Sequence, residues 1–151
     1  MIEVESLEHA IHVRCLSDTF EVRNSLKTLM ADMEGRDYLP EERGTVELVL
    51  AEVLNNVAEH AYEEKGDGRI QLDLSYQTGG IAIELQDYGK PMPGGQTPLG
   101  MPHNLDVEVD DLPEGGFGWF LIGELAKDLV YERRGDTNFL SFRMTLGMEE
   151  A

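Results

Sequence analysis

The stretch PEERGTVELVLAEVLNNVAEHAYEEKGDGRIQLDLSYQTGGIAIEL, residues 40–85, decides the fold. Pro40 with Glu41 and Glu42 is a helix start, because proline gives up no hydrogen bond at the first helical position and acids there favour the positive end of the helix dipole. Val46, Val49, Leu50, Val53, Val57 and Ala61 then recur at helical spacing, which predicts one buried stripe on a long helix running to about Glu64. Gly66-Asp67-Gly68 ends it. Ile70, Leu72 and Leu74 alternate with polar residues, Gly79-Gly80 turns the chain, and Ile81-Ala82-Ile83-Glu84-Leu85 follows, the pattern of two antiparallel strands joined by a glycine turn. A long amphipathic helix leading into a hairpin predicts layered α/β architecture.

The flanking sequence fits the same plan. Upstream, His9 to Arg14 alternates, with Ile11, Val13 and Cys15 on one side and Ala10, His12 and Arg14 on the other, as an edge or second strand would. Asp18 and Glu21 form a capping-box pattern, and Val22, Leu26, Leu29, Met30 and Met33 predict a first helix from about Asp18 to Glu34. This Leu/Met stripe reads as core and is compatible with a dimer surface. Downstream, Gly118 to Leu129 reads as a third helix, Leu129-Val130-Tyr131 as a strand, Gly135-Asp136 as a turn, and Leu140, Phe142, Met144 and Leu146 as a last strand. Residues 91–114 stand apart, holding five of the six prolines, and a loop of that length inside a domain usually has a job or is disordered. With no repeat or linker, residues 1–151 are expected to form one domain: a two-layer α/β sandwich, its sheet mixed and mainly antiparallel and covered on one face by three helices.

Composition narrows the function. Twelve Lys+Arg against 30 Asp+Glu give a net charge of −18, so a polyphosphate backbone would be repelled and direct binding of nucleic acid is not expected. With 28% charged residues and no apolar run near the roughly 20 residues needed to cross a bilayer, no membrane span is expected either. The acidic, alternating Met1–Ser6 does not resemble an export signal, and the single cysteine, Cys15, suits a reducing cytoplasm.

On the long helix, Glu52, Asn56 and His60 are spaced i, i+4, i+8, and each step of four advances about 40°, so the three share a flank beside the apolar stripe. An acid, an amide and an imidazole at that margin suit a Mg²⁺ ion arriving with phosphates, and suit equally a solvated helix face. Spacing does not separate Asn56 from its neighbour Asn55. Two glycine segments follow. Asp87-Tyr88-Gly89 ends a strand, and Glu114-Gly115-Gly116-Phe117-Gly118 precedes a helix, where backbone N–H groups and the helix dipole favour an anion.

In order, Glu52-x-x-x-Asn56-x-x-x-His60-Ala61-Tyr62, Asp87-x-Gly89 and Glu114-Gly115-Gly116-x-Gly118-x-x-Leu121-Ile122 closely resemble the anti-sigma factor serine/threonine kinases, a bacterial branch of the GHKL ATPase superfamily with its histidine-kinase-like, Bergerat-type ATP-binding fold. The resemblance runs from the strand near His9 to the strand ending near Leu146, and it puts Asn56 at the motif position. It implies Asn56 as the Mg²⁺ ligand, Glu52 as the acid beside the γ-phosphate, Asp87 as acceptor of the adenine amino group, and Gly89 as the residue that lets the base lie close to the backbone. Gly115, Gly116 and Gly118 would cradle the phosphates under a lid formed by residues 91–114, and Asn138, in the parity of Leu140 and Phe142, would reach the adenine end. His60 and Tyr62 would hold the helix in place. One departure is Pro91, where many relatives carry a glycine; another is that residues 91–126 contain no Lys or Arg and six acids, which leaves phosphate charge to Mg²⁺, backbone N–H groups and Lys90.

The resemblance implies an ATP-dependent protein serine kinase in a partner-switching circuit, a homodimer that binds a sigma factor and phosphorylates a serine of an antagonist protein. The rival readings are a non-catalytic, ATP-gated protein-binding module and the ATP-binding part of a histidine kinase. The last is disfavoured because the chain has no helical hairpin long enough to dimerise and present a phosphoacceptor histidine.

Overall fold

Both ends of the first capping pattern engage the backbone. Asp18 accepts the Glu21 N–H at 2.9 Å, and the Glu21 carboxylate reaches back to the Leu16 N–H at 2.8 Å. This starts α1 (Thr19–Gly35), which buries Val22, Leu29 and Met33. At the second start, the Leu39 N–H donates to the Glu42 carboxylate at 2.8 Å ahead of Pro40, and α2 (Pro40–Asn56) turns Val46, Val49, Leu50, Val53 and Leu54 inward. These elements belong to a computed structural model that describes residues 2–63, 65–92 and 116–146, so most of the Pro/Gly-rich segment, with Gly115, lies outside the described residues.

Six strands form a single sheet: β1 (Glu3–Ser6), β2 (Ala10–Leu16), β3 (Arg69–Gln77), β4 (Gly80–Asp87), β5 (Lys127–Arg134) and β6 (Thr137–Thr145), in the order β1-β2-β3-β4-β6-β5. A third helix, α3 (Gly116–Leu125), lies between β4 and β5 in the chain. The expected two-layer α/β arrangement is present, with one refinement: every described strand pair is antiparallel, where a mixed and mainly antiparallel sheet was expected. The strand at Ala10–Leu16 is the second one, and the short, fully exposed β1 forms the edge. Ile11, Val13, Ile70, Leu72, Leu74, Ile81, Ile83, Leu85, Leu140, Phe142 and Met144 project from the sheet into one core with the buried stripes of the helices. Gly79 takes φ +81° in the β3–β4 turn, a left-handed conformation that favours glycine.

Two boundaries differ from those expected, each for a local reason. The long helix does not stay α-helical to Glu64; after Asn56 it widens into a π-helical turn, Val57–Ala61, closed by the Tyr62 N–H on the Val57 carbonyl at 3.2 Å. The third helix stops at Leu125, not Leu129. Ala126 closes it on the Ile122 carbonyl, Asp128 adopts φ +56°, and the β5–β6 register shifts between Lys127 and Val130, so Leu129 joins Tyr131 on a strand. Period-two pairing with β6 prevails there over helical continuation. Among the described residues no helix is long and apolar enough to cross a membrane.

Phe142 is almost fully buried on β6 beside β4. Phe142→Ala is expected to lower unfolding free energy by about 3–5 kcal/mol through lost burial and a residual cavity, as read from urea denaturation.

Candidate functional site

A cavity of about 250 Å³ lies between the end of α2, the start of α3 and the β4–β6–β5 side of the sheet. Val53, Val57, Leu85, Met92, Trp119 and Leu140 give it apolar walls, while Asn56, Asp87 and Asn138 supply buried polar groups. Its volume falls just below the ~300–1,000 Å³ of sites for drug-sized ligands. It has room for a flat ring, not for a ring carrying a long charged tail. A wider hollow of about 510 Å³, lined by Glu3, Arg14, Arg69 and Tyr88, has no buried polar side chain facing it.

Sheet register builds the polar end. Asp87 is the last residue of β4 and stands directly opposite Asn138, the second residue of β6. Both are buried, each 4% exposed. The Asn138 amide N–H donates to Asp87 Oδ1 at 2.8 Å and to the Lys90 carbonyl at 2.9 Å, and the Gly89 N–H donates to the same carboxylate oxygen at 3.0 Å. Burial pushes the Asp87 carboxyl above its ordinary range, while the Asn138 and Gly89 hydrogen bonds and the Arg133 charge pull the other way without cancelling it. Both hydrogen bonds fall on Oδ1, so Oδ2 remains available to accept a donor from a ring in the cavity.

The loop after Asp87 is docked on the end of α2. The Lys90 N–H donates to the Ala61 carbonyl at 2.9 Å, and Tyr62 bridges the Tyr88 N–H (2.7 Å) and the Arg69 carbonyl (2.6 Å) through its hydroxyl. Tyr62 thus has the anchoring position expected of it. Gly89 is required by the protein itself: a Cβ there would sit 2.3 Å from the Ala61 carbonyl oxygen, so the glycine permits strand-to-helix contact whatever the ligand.

The other expected residues separate. Asn56 is 8% exposed and lines the cavity, whereas Asn55 is exposed on the far side of the helix. The Asn56 amide nitrogen is buried without a hydrogen-bond partner among the described residues, so no protein group fixes that amide and its oxygen is free to turn toward a ligand. Glu52, one turn earlier, is half-buried and outside the cavity lining. His60 borders the cavity with Asn56 but is mostly exposed, its imidazole beside the Glu59 carboxylate. Lys90 borders it too, with its ammonium paired to Glu63. Gly116 and Gly118 lie in the first turn of α3, and Gly115 and the expected lid fall outside the described residues.

Three residues were not anticipated from the sequence: Trp119, a cavity wall, and Tyr131 and Arg133, which bond to Asn138. The two-residue spacing Leu129, Tyr131, Arg133 and the Gly135-Asp136 turn carry the signal, since a tight hairpin there places Arg133 opposite Asn138. Among the described residues no group of three or more His, Cys, Asp or Glu could hold a metal. A hard cation at this site would take one amide oxygen from Asn56 and the rest of its shell from phosphate and water.

A family model described as the histidine kinase-like ATPase domain matches residues 16–144. The serine-protein kinase RsbW of Staphylococcus aureus (strain MRSA252) is 32% identical over 93 residues, covering 60% of this chain and 58% of that protein. RsbW of Staphylococcus epidermidis is 31% identical over 93 residues with the same coverage, 60% and 58%. The matched stretch is thus under two thirds of these relatives' length. Among solved structures, the Acinetobacter baumannii histidine kinase AdeS aligns with a TM-score of 0.47 at 14% identity, over 89% of this chain and 68% of that one.

Two substitutions test the construction of the site. Because the folded-state pKa of Asp87 is raised, its ionisation costs stability above that pKa, and the cost is relieved as pH falls through it. Asp87→Asn should therefore be more resistant to urea than the parent at neutral pH, with the difference shrinking on acidification. Gly89→Ala should lose about 1–3 kcal/mol by forcing the β4 loop away from Ala61, measured the same way.

Proposed function

Since the chain belongs to the histidine kinase-like ATPase domain family, we propose that it binds ATP with the adenine in this cavity and transfers the γ-phosphoryl group to a serine of a partner protein. The observation that carries the reading is the buried Asp87 carboxylate at the foot of an apolar slot, one oxygen held by Asn138 and Gly89 and the other available for an amino group. Similarity to proteins named serine-protein kinases supports the reaction class.

The residues divide the work. The walls Val57, Leu85, Trp119 and Leu140 exclude water from the two faces of the base, and Asp87 accepts its exocyclic N–H. The phosphates would be held at the N-terminal turn of α3 by backbone N–H groups of Gly116 and Gly118, with Gly115 added by the family resemblance alone. Asn56 would hold Mg²⁺ through its amide oxygen, and the ion would supply charge neutralisation for the phosphates in a region poor in Lys and Arg. Glu52 accepts the proton of the acceptor serine as its oxygen bonds to the γ-phosphorus and the bond to the β-phosphate oxygen breaks, releasing ADP. Lys90 contributes positive charge only if it leaves Glu63.

By the same family likeness, the partners would be a sigma factor, held away from polymerase, and an antagonist protein bearing the target serine. The chain would work as a cytoplasmic homodimer without touching nucleic acid or membrane. A net charge of −18 suits a surface that masks basic regions of a DNA-binding protein. A second reading, an ATP-gated binding module without transfer, draws support from Glu52 lying outside the cavity lining.

Incubation with Mg·ATP and candidate antagonists, followed by intact mass, should show one added phosphate on a serine; ATP binding without transfer to any candidate would favour the second reading. Glu52→Gln should lower transfer by at least about 100-fold with ATP affinity retained. Excess chelator, or Asn56→Ala with Mg²⁺ present, should weaken ATP binding by about tenfold or more in calorimetric titration, and equal affinity with chelator would remove the metal role of Asn56.

A further inference from the structure

Asn138 is held by more than its contact with Asp87. Its amide oxygen accepts the Tyr131 hydroxyl at 2.5 Å and Arg133 Nη1 at 3.1 Å, while its nitrogen donates to Asp87 Oδ1 and the Lys90 carbonyl. The flipped amide would place its oxygen against a carboxylate and a carbonyl, and its nitrogen against a guanidinium N–H. Only one orientation satisfies all four neighbours. The same two side chains grip the loop beyond Asp87: Arg133 Nη1 donates to the Gly89 carbonyl at 2.6 Å, and the Tyr131 hydroxyl accepts the Met92 N–H at 3.0 Å.

We propose that Tyr131 and Arg133 are positioning residues for base selection: by fixing the direction of the Asn138 amide they hold Asp87 as a hydrogen-bond acceptor and so favour a purine with an amino group at C6 over one with a carbonyl there. This rests on the cavity being the base site of a bound nucleoside triphosphate. The chemistry is a matter of matching signs. An ionised carboxylate accepts an amino N–H and repels a carbonyl oxygen, a discrimination that sharpens when both groups are buried. Were the Asn138 amide released to flip, Asp87 would lose a donor and face an oxygen, which favours its protonated form. A protonated Asp87 donates, and a donor accommodates a C6 carbonyl.

The groups surrounding Asp87 are Arg133 and Tyr131 from β5, Asn138 from β6, His60 and Tyr62 from the end of α2, and Lys90, whose ammonium pairs with Glu63, on its own loop. Tyr62 provides a control. Its hydroxyl anchors the same loop, bonding the Tyr88 N–H and the Arg69 carbonyl and not Asn138.

The test is calorimetric titration of the full chain with Mg·ATP and Mg·ITP, which carry an amino group and a carbonyl at C6, for the parent, Tyr131→Phe, Arg133→Met and Tyr62→Phe. The parent should prefer ATP. Tyr131→Phe and Arg133→Met should each lower that preference by about tenfold, and should raise the pH below which ATP binding is lost, because Asp87 would take up its proton more readily. Tyr62→Phe, although expected to reduce stability, should keep both the preference and the pH profile of the parent. An unchanged preference in both β5 variants, or an equal loss in Tyr62→Phe, would overturn the proposal while leaving nucleotide binding intact. Failure of the parent to bind either nucleotide would overturn the reading of the cavity, and the proposal with it.

Discussion

One buried carboxylate organises this molecule. Asp87 sits where β4 ends, under the helical layer, and a charge there is tolerated only if donors converge on it. Those donors come from two places: the next turn of its own chain, through Gly89, and the facing strand, through Asn138. The β4–β6 pairing therefore does more than extend a sheet. It brings residues 51 positions apart into one polar cluster, and that cluster in turn orients the loop leading to Met92.

Around this cluster the architecture is a compromise between close packing and access. Gly89 lets the β4 loop press on Ala61, and the π-helical turn at Val57–Ala61 reshapes the end of α2. The outcome is an apolar slot closed at its base by Asp87 and bordered by an amide, Asn56, that no described protein group satisfies. A polar atom left unpaired in a well-packed region costs stability, and such sites are where ligands supply the missing partner. The unpaired atom is the Asn56 amide nitrogen, so the missing partner is a hydrogen-bond acceptor, and the amide oxygen is the atom that could face a cation.

Much of this is legible in the chain itself. The α1 and α2 stripes, the β3–β4 hairpin and the inward parity of Asn138 with Leu140 and Phe142 are local periodicities, and they survive because nothing tertiary competes with them. The misplaced boundaries lie where two local patterns overlap. Leu129 continues the apolar pattern of α3 and equally begins the alternation of β5, and only the available hydrogen-bonding edge of β6 decides between them. The widening of the helix after Asn56 is likewise invisible in its apolar stripe, which runs on through Val57 and Ala61 without a break.

Of the candidate site, Asp87, Gly89, Asn56 and Asn138 could be named from motif and parity, since each belongs to a short sequence pattern. Tyr131 and Arg133 leave only a hairpin spacing as their signal, because their role is set by what lies across that hairpin and at the start of a distant loop. The sequence by itself determined the layers, because helical and strand periodicities are properties of neighbouring residues, and it pointed to Asp87 through its resemblance to a known family. Tertiary structure alone decided which way the Asn138 amide points and that Gly89 answers to Ala61. Hydrogen-bond direction and close approach are relations between surfaces that meet only when the chain has folded.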